Sequence, residues 1–367
     1  MYEKRSQRTE ISELGEFGLI KRITKKIPVK NTRTRKGIGD DAAVIEGSQK
    51  ATLLSTDMLI EGVNFDLTYF PLKHLGYKAS VVNFSDIYAM NGKPTQITVN
   101  IAVSNRFAVE AIEEIYAGIQ LACQAYDVDF VGGDTSTSPH GLFLSISVLG
   151  EADAEEVTYR SGAKESDLLC VSGDLGAAYM GLLILEREKQ AFKANPNMQP
   201  DLSGHDYLIE RQLKPETRHD ILRMLREAKV KPTSMIDISD GLASEILHLS
   251  TESKVGCSLY EEKLPIDLKT EELAKEFNIA PTVAALSGGE DYELLFTIDQ
   301  KDYEKIKDIP EISIIGHMTD IKSSANLVSH DGKVAPLTAQ GWDALLDLEK
   351  NPEKNKEQKG GTGEEKE

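Results

Sequence analysis

Cysteine is scarce in this 367-residue chain: there are three, far apart in sequence, and no two have the Cys-x-x-Cys spacing of a metal or redox site. We therefore interpret all three as small buried hydrophobic residues in a reducing compartment. No apolar run approaches the length that spans a bilayer, and the polar N-terminal sequence lacks the apolar segment of a signal peptide. These absences predict a cytoplasmic protein that does not bind a membrane.

Positive charge is also in deficit, because 42 Lys and Arg residues stand against 60 Asp and Glu residues, a formal net charge of −18 at pH 7. Repulsion from the phosphate backbone argues against a nucleic-acid partner. It does not argue against an enzyme that binds a phosphorylated small molecule. Clustered carboxylates can bind Mg²⁺, and the bound metal then inverts the local charge.

Two common phosphate-transfer signatures are missing. The sequence contains no Gly-x-x-x-x-Gly-Lys-Ser/Thr loop, and it has no His-Arg-Asp segment followed by Asp-Phe-Gly. The P-loop and protein-kinase architectures are therefore unsupported. A nucleotide site in this chain must be built from other motifs.

Strand-like and helix-like segments alternate along the chain, which predicts an α/β (α+β) fold. Residues 51–57 and 95–104 have strand patterns, and residues 74–90 and 108–126 have helix patterns. In the second half, strands are predicted near residues 167–172, 256–260, 293–298 and 312–315. A polar, proline-containing stretch at 187–215 is interpreted as a surface excursion.

Length and composition favour two domains. We place a flexible N-terminus at residues 1–10, an N-terminal domain at 11–153 and a C-terminal domain at 154–346. The segment 347–367 has almost no apolar residues, so it cannot offset the entropy of ordering and is predicted to be a disordered tail.

Aspartates occur beside glycine or serine at predicted turns and strand ends, or on an apolar helix stripe. They are Asp41 in Gly37-Ile-Gly-Asp-Asp, Asp57 in Ser55-Thr56-Asp57, Asp86 in Asn-Phe-Ser-Asp, Asp134 after Gly132-Gly133, and Asp237 and Asp240 in Ile-Asp-Ile-Ser-Asp-Gly. Strand alternation places Ser55 and Asp57 on one face and Thr56 on the other. Hydroxyl and carboxylate oxygens are the hard ligands that Mg²⁺ prefers.

Each motif also has an ordinary explanation. A Gly-Asp turn is common, Asp86 could form a salt bridge with Lys78 or Lys93, and Asp240 could cap the helix that follows it. Taken together, the aspartates cannot converge without divalent cations, because their mutual repulsion would be severe. Convergent carboxylates with glycine-rich backbone are typical of a site for Mg²⁺ and a polyphosphate.

In the order and spacing of its motifs, the chain resembles thiamine-monophosphate kinase from about residue 14 to about residue 343. The segments that carry the resemblance are Glu16-Phe-Gly-Leu-Ile, Gly37-Ile-Gly-Asp-Asp, Ser55-Thr-Asp, Val82-Val-Asn-Phe-Ser-Asp-Ile-Tyr-Ala-Met, Gly132-Gly-Asp, Arg160-Ser-Gly-Ala-Lys, Ile236-Asp-Ile-Ser-Asp-Gly and Leu286-Ser-Gly-Gly-Glu-Asp-Tyr-Glu-Leu. That family belongs to the superfamily of aminoimidazole ribonucleotide synthetase-like ATP-binding enzymes.

The resemblance implies a two-domain aminoimidazole ribonucleotide synthetase-like fold, whose N-terminal domain contributes strands to a β-barrel formed across a homodimer. It implies Mg²⁺-dependent, in-line transfer of the γ-phosphoryl group of ATP to thiamine monophosphate, giving thiamine diphosphate and ADP. Several Mg²⁺ ions would take part. No single general base is needed, because the acceptor is already a phosphate.

The resemblance also implies roles for particular residues. The Mg²⁺ ligands would be Asp41, Ser55, Thr56, Asp57, Asp86, Asp134, Asp237 and Asp240. The ATP contacts would be Gly133, Asp134, Arg160, Ser239 and Tyr116. The substrate contacts would be Asn64, Glu290 and Trp342, which is the only tryptophan of the chain.

Two alternatives remain open at this point. One is a sibling ATP-dependent enzyme of the same superfamily; a selenophosphate synthetase is disfavoured because no cysteine precedes Cys123, and a hydrogenase-maturation dehydratase because the chain ends Glu-Glu-Lys-Glu rather than in cysteine. The other is a non-catalytic Mg-nucleotide-binding protein. It would bind Mg-ATP without consuming it when given thiamine monophosphate.

Overall fold

The computed structural model of the protein describes residue 21 and residues 31–47 and 49–339. The predictions made for the N-terminus at 1–10, for Trp342 and for the tail at 347–367 lie outside the described residues. None of the helices in the described part of the chain combines the length and the apolar character that crossing a bilayer requires.

Six strands of the first half form a mixed sheet, which we call the first sheet. They are β1 (Thr34–Lys36), β2 (Ala43–Glu46), β3 (Lys50–Ile60), β4 (Lys93–Val103), β5 (Asp129–Thr137) and β6 (Phe143–Asp153). Their spatial order is β1-β2-β3-β6-β4-β5, in which β4 and β5 pair in parallel and the other neighbours are antiparallel. The predicted strands at 51–57 and 95–104 are confirmed within β3 and β4.

The two faces of the first sheet differ because successive side chains point to opposite sides of a strand. The inner face, with Leu53, Val99 and Ile146 fully buried, is covered by helix α1 (Leu72–Ala89), against which helix α2 (Val109–Tyr126) packs. The outer face carries Leu54 and Met58, which are exposed. The predicted helices at 74–90 and 108–126 are thereby confirmed.

Helix α1 is buried on almost every side. It approaches α2 closely at two glycines, since a Cβ on Gly76 would lie 1.9 Å from the Ile115 carbonyl oxygen and a Cβ on Gly118 would lie 1.9 Å from the Lys73 carbonyl oxygen. Its remaining surface contacts the first sheet and elements of the second half of the chain. Polar residues on this helix therefore face protein rather than water.

Seven strands of the second half form a second mixed sheet. They are β7 (Leu168–Ser172), β8 (Ser234–Asp237), β9 (Gly256–Tyr260), β10 (Leu294–Ile298), β11 (Ile312–Thr319), β12 (Ala325–Val328) and β13 (Val334–Pro336). Their order is β13-β12-β9-β11-β7-β10-β8, and β8 at its edge packs against α1. The mixed α/β character is confirmed, and both sheets are open within the described residues.

Seven further helices lie in the described residues of this half. They are α3 (Ala177–Ala194), α4 (Asp206–Leu213), α5 (His219–Glu227), α6 (Leu242–Ser253), α7 (Leu268–Glu276), α8 (Pro281–Ser287) and α9 (Tyr303–Ile306), with single 3₁₀ turns at Glu261–Lys263, Gln300–Asp302 and Ile321–Ser323. Helix α6 packs on β8, β9 and β10, and its apolar residues close a core with the second sheet.

The prediction of a surface excursion at 187–215 is wrong for much of its length. Helix α3 runs to Ala194, and α4 packs on it so closely that a Cβ on Gly181 would lie 2.0 Å from the Leu208 carbonyl oxygen. Leu208 and Gln212 are buried. Arg211 and Gln212 of α4 are used in an internal ion pair and hydrogen bond, whereas residues 192–201 are exposed, as the prediction requires.

The Gly132-Gly133-Asp134 segment was predicted to follow the end of a strand, and this placement is wrong. Strand β5 continues to Thr137, and it pairs in parallel with β4 through Gly133 opposite Val99 and Asp134 opposite Asn100. A Cβ on Gly133 would lie 1.8 Å from the Val99 carbonyl oxygen. The glycine therefore permits close strand pairing, which its sequence context did not distinguish from a turn.

Candidate metal and phosphate site

Three carboxylates from distant parts of the chain meet at one point. Asp41 lies between β1 and β2, Asp86 lies in α1, and Asp237 ends β8. One ligand oxygen from each lies within 4.8 Å of the other two. The buried helix α1 joins them, because it packs on the first sheet on one side and on β8 on the other. We call these three residues the acidic centre.

Hydroxyl groups donate hydrogen bonds to two of these carboxylates, Asp86 in α1 and Asp237 at the end of β8. Ser55 Oγ of β3 donates to Asp86 Oδ2 at 2.5 Å, and Ser85 Oγ of α1 donates to Asp237 Oδ2 at 2.5 Å. The Asn83 side chain of the same helix accepts a hydrogen bond from the Asp57 backbone N–H at 3.1 Å. One stretch of α1 thus orients acids of both halves of the chain.

The alternative that Asp86 forms a salt bridge with Lys78 or Lys93 is wrong. Lys78 pairs with Glu290 at 3.0 Å, and Lys93 pairs with Asp127 at 2.9 Å on the surface. Asp86 therefore contributes its charge to the acidic centre without a lysine partner among the described residues.

Burial and the charge of neighbouring carboxylates raise the pKa values of Asp57, Asp86 and Asp237. Burial, followed by the charge of Asp41, raises the pKa of Asp57 to about 6 and that of Asp237 to about 8. Burial and then the neighbouring Asp57 raise the pKa of Asp86 well above its ordinary value. Burial is the larger cause in each case and a neighbouring carboxylate the second, so a bound cation would favour the ionised forms.

Arg160 supplies part of that charge. Its Nη2 donates to Asp41 Oδ1 at 2.8 Å and its Nε donates to Asp41 Oδ2 at 3.2 Å, which is a bidentate pair. The Arg160 backbone N–H also donates to Asp40 Oδ1 at 3.0 Å. Although burial acts to lower it, Asp41 raises the pKa of the Arg160 guanidinium above its ordinary value.

The turn between β8 and α6 is held by a buried glutamate. Glu245 Oε1 accepts from the Asp240 N–H at 3.0 Å and from Ser239 Oγ at 3.4 Å. Burial and then Asp240 raise the pKa of Glu245 well above its ordinary value. Helix α6 has Gly241 at its N-cap, so the alternative that Asp240 caps this helix is wrong.

The acidic centre fits a divalent cation. Mg²⁺ binds oxygen at about 2.0–2.1 Å, so ligand oxygens on opposite sides of the ion lie roughly 4.2 Å apart. The observed 4.8 Å limit between the three oxygens is compatible with that spacing. The donors are carboxylates whose charge is under-compensated, which is the chemistry that a hard dication stabilises.

Two of the predicted metal ligands lie away from the acidic centre. Thr56 is on the outer face of β3, where its Oγ1 lies 3.0 Å from the Ile146 carbonyl oxygen and 3.0 Å from Ser147 Oγ. Asp134 is exposed on β5, and β5 is separated from β3 by β6 and β4. Three strand spacings put it roughly 14 Å from Asp57 along the sheet.

The residues predicted to contact nucleotide or substrate are spread around this region. Tyr116 of α2 packs edge-on against Phe130, with ring centroids 5.9 Å apart. Asn64 Oδ1 accepts from the Ile60 N–H at 3.0 Å and so closes the turn after β3. The Glu290 N–H donates to the Ser239 carbonyl oxygen at 2.7 Å, which places Glu290 beside the Asp237–Asp240 turn.

Several residues that build the site were missed in the sequence. They are Asn83 and Ser85, which orient acids from α1, Glu245, which holds the Asp240 turn, and Lys78, which binds Glu290. A signal for α1 was present: Lys78, Asn83, Ser85 and Asp86 interrupt an otherwise apolar helix. Polar residues in a helix that is buried all round require internal partners.

The chain matches known proteins over most of its length. The family profile described as AIR synthase related protein, N-terminal domain, matches residues 39–152, which include Asp41, Asp57 and Asp86. Two relatives named thiamine-monophosphate kinase are those of Aquifex aeolicus, 36% identical over 302 residues (82% of this chain, 92% of the relative), and Bacillus subtilis, 31% identical over 337 residues (90% and 99%).

Solved structures agree with these matches. AaThiL complexed with AMPPCP and TMP superposes with a TM-score of 0.78 at 32% identity, covering 92% of this chain and 99% of that chain. Hydrogenase maturation protein HypE in complex with ATP has a TM-score of 0.62 at 15% identity, covering 92% and 100%, and shares the fold alone.

The fold and the acidic centre thus define a protein with an AIR synthase-related N-terminal domain and a site suited to a dication and phosphate groups. Within that class, the identity and coverage of the relatives are decisive: the chain belongs to the thiamine-monophosphate kinase family. It is therefore a phosphotransferase by family, as the sequence motifs predicted.

Replacing Asp57 with Asn is expected to stabilise the metal-free protein at alkaline pH. The folded-state pKa of about 6 lies above the ordinary value of ~4. The native state therefore keeps a proton that the unfolded state has lost, and stability falls as the pH rises through this window. Asn carries no charge, so the free energy of unfolding of Asp57→Asn should exceed that of the wild type by about 1–2 kcal/mol at pH 8 and by little at pH 4.5.

Urea unfolding with excess chelator at both pH values measures this difference. The control is Asp308→Asn, at an exposed surface position, which should change stability little at either pH. Equal stability of Asp57→Asn and the wild type at pH 8 would contradict the electrostatic account of the site.

Proposed function

We propose that this protein transfers the γ-phosphoryl group of ATP to thiamine monophosphate, forming thiamine diphosphate and ADP as a step of thiamine diphosphate biosynthesis in the cytoplasm. The observation that carries the proposal is the convergence of Asp41, Asp86 and Asp237 beside Arg160. The family supports the substrates, since a relative has been solved as a complex with AMPPCP and TMP.

The acidic centre is proposed to hold Mg²⁺. Ser55, which hydrogen-bonds Asp86, is proposed as a further ligand, together with Asp57 on the same face of β3 and Asp240, three residues after Asp237. Mg²⁺ bound there supplies the positive charge that lets two phosphate groups approach each other. Asp134 and Thr56 lie on other parts of the first sheet, and we assign them to further ions that accompany the nucleotide. In this proposal the several Mg²⁺ ions bind at separate places on the first sheet rather than all at the acidic centre.

Arg160 is proposed to act on the nucleotide together with Gly133, Asp134, Ser239 and Tyr116. Its guanidinium is held in place by the bidentate pair with Asp41, so it is preorganised before a phosphate arrives. The acceptor phosphate is itself the nucleophile. The aspartates therefore serve as ligands, and the transfer is direct and in line, without a covalent enzyme intermediate.

The acceptor is proposed to contact Asn64 and Glu290, and Trp342 stays a substrate contact predicted from the family resemblance alone. Asn64 lies at the turn after β3, the strand that carries Ser55, and Glu290 lies beside the Asp237–Asp240 turn, so the two residues come from opposite halves of the chain. This division also agrees with two domains at 11–153 and 154–346, because the strands of the first sheet end at Asp153 and those of the second begin at Leu168.

A homodimer is proposed to close the outer face of the first sheet into a barrel. Leu54, Met58 and Val131 are exposed there, at 38%, 57% and 58%. An open sheet face with exposed apolar side chains is typical of a subunit interface. The proposed partner is a second copy of the chain, as the family implies.

Asp57→Asn and Asp240→Asn are each expected to lower kcat at least 100-fold, because each removes one charge from the proposed ion site. A coupled assay of ADP release, with thiamine monophosphate and Mg²⁺, measures the effect. The wild type should lose activity in chelator and regain it when Mg²⁺ is restored.

Asp308→Asn is the matched control and should keep wild-type turnover. ADP release in excess chelator, or wild-type rates in both site variants, would contradict the proposal. Nucleotide binding without ADP release would favour the non-catalytic alternative, and release only with another phosphate ester would favour a sibling enzyme.

Met58→Asp is expected to convert the dimer to a monomer, because it places a charge in the centre of the proposed interface. Light scattering at micromolar concentration measures the mass. Leu268→Asp, at a residue that is 65% exposed at the start of α7, is the control and should leave the dimer intact. A wild-type monomer with full activity would contradict the proposed assembly.

A further inference from the structure

Lys78 of α1 is only 1% exposed, although burial of an ammonium group is costly unless the group is paired. Its Nζ donates to Glu290 Oε2 at 3.0 Å and to the Gln212 carbonyl oxygen at 2.9 Å. It also lies 5.5 Å from the centroid of the Phe70 ring. The lysine thus joins the first half of the chain to α4 and to the loop after α8.

The loop that carries Glu290 has an unusual backbone. Glu290 and Tyr292 have φ values of 58° and 52°, in the left-handed region that is unfavourable for residues other than glycine. Backbone N–H groups of these two residues donate to the carbonyl oxygens of Ser239 at 2.7 Å and Ile238 at 2.9 Å. The strained loop is therefore fastened to the segment that carries Asp237.

The two oxygens of the Glu290 carboxylate have different surroundings. Oε2 accepts from Lys78 and also from Gln212 Nε2 at 2.8 Å. Oε1 takes no hydrogen bond from the described residues, and the side chain is 30% exposed. Gln212 Oε1 is buried and likewise has no partner within the described part of the chain. Both donors are directed at Oε2, so Oε1 is the partly exposed acceptor that remains, and it suits a ligand with an N–H group.

Without Lys78, the Glu290 carboxylate would lose the ion pair that holds it in this position and would keep only the hydrogen bond from Gln212. Glu290 lies beside the turn that carries Asp237 and Asp240, because its backbone N–H donates to the Ser239 carbonyl oxygen at 2.7 Å. Like charges in neighbouring segments repel each other and favour rotation of the Glu290 side chain toward water. The buried ammonium opposes that repulsion and fixes which oxygen remains free.

We propose that Lys78 is a positioning residue that, together with Gln212, holds Glu290 so that Oε1 accepts a hydrogen bond from the amino group of the phosphate acceptor. The inference rests on the proposed function, in which the acceptor is thiamine monophosphate, whose pyrimidine ring carries one amino group. Lys78 itself touches neither substrate. It sets the preference for an amino-bearing acceptor through Glu290.

The test compares thiamine monophosphate with an analogue in which hydrogen replaces the pyrimidine amino group. For the wild type, kcat/KM should be roughly 10- to 100-fold lower with the analogue, because a charge-assisted hydrogen bond is lost. For Lys78→Met this discrimination should fall below about 3-fold, and the KM for thiamine monophosphate should rise roughly 10-fold. The KM for ATP should change less than about 3-fold.

Two further variants separate positioning from a structural role. Lys78→Arg keeps the cation and should restore most of the discrimination. Gln212→Leu leaves the lysine in place, removes the second donor to Glu290, and should also reduce discrimination, which keeps the test usable if Lys78→Met does not fold. Lys305→Met is the matched control, because Lys305 also contacts one carboxylate, that of Asp302, and one carbonyl, that of Lys229, but at the surface.

The outcomes are distinct. Loss of discrimination in Lys78→Met or Gln212→Leu, with wild-type discrimination in Lys305→Met, supports the inference. Wild-type discrimination in folded Lys78→Met and Gln212→Leu, even with a lowered melting temperature, would show that the lysine is structural and overturn it. A wild type that phosphorylates both acceptors equally also overturns it. A wild type that does not phosphorylate thiamine monophosphate overturns the proposed function and the inference with it.

Discussion

Electrostatic repulsion among Asp41, Asp57, Asp86 and Asp237 is the constraint that the surrounding structure must satisfy. Burial raises the pKa of Asp57 to about 6 and that of Asp237 to about 8, so the metal-free fold keeps these acids at a cost in stability. Helix α1 supplies the hydroxyl of Ser85 for one acid and carries another, and Arg160 is paired with Asp41. Destabilisation of this kind is common where a site must bind a cation strongly.

Local patterns predicted the elements that depend on neighbouring residues. Alternation in residues 95–104 predicted a strand with Val99 inward, and the apolar spacing of residues 74–90 predicted α1, because each pattern reflects burial of one face. The aspartates of the acidic centre were found because several acids beside glycine at turns, or on an apolar helix face, occur in one chain, although each motif alone has an ordinary explanation. The family resemblance then assigned them to one set of Mg²⁺ ligands.

Contacts between distant residues could not be predicted in the same way. The order β3-β6-β4-β5 places Asp134 apart from the acidic centre, and strand order is a non-local property that no single motif encodes. The segment containing α4 was predicted to lie on the surface because it is rich in charged residues. In the fold these residues form buried ion pairs, such as that of Arg211 with Glu293 at 2.9 Å. The pairing of Lys78 with Glu290 spans 212 positions of the chain and has no local signal.

The central claim, that the acidic centre is a dication site serving phosphate transfer, is tested most directly by anomalous diffraction from crystals grown with Mn²⁺ and AMPPCP. The account predicts a manganese peak within about 2.5 Å of carboxylate oxygens of Asp41, Asp86 and Asp237, with nucleotide phosphate oxygens completing its coordination. Bound nucleotide whose manganese lies elsewhere, with these three carboxylates unligated, would contradict it.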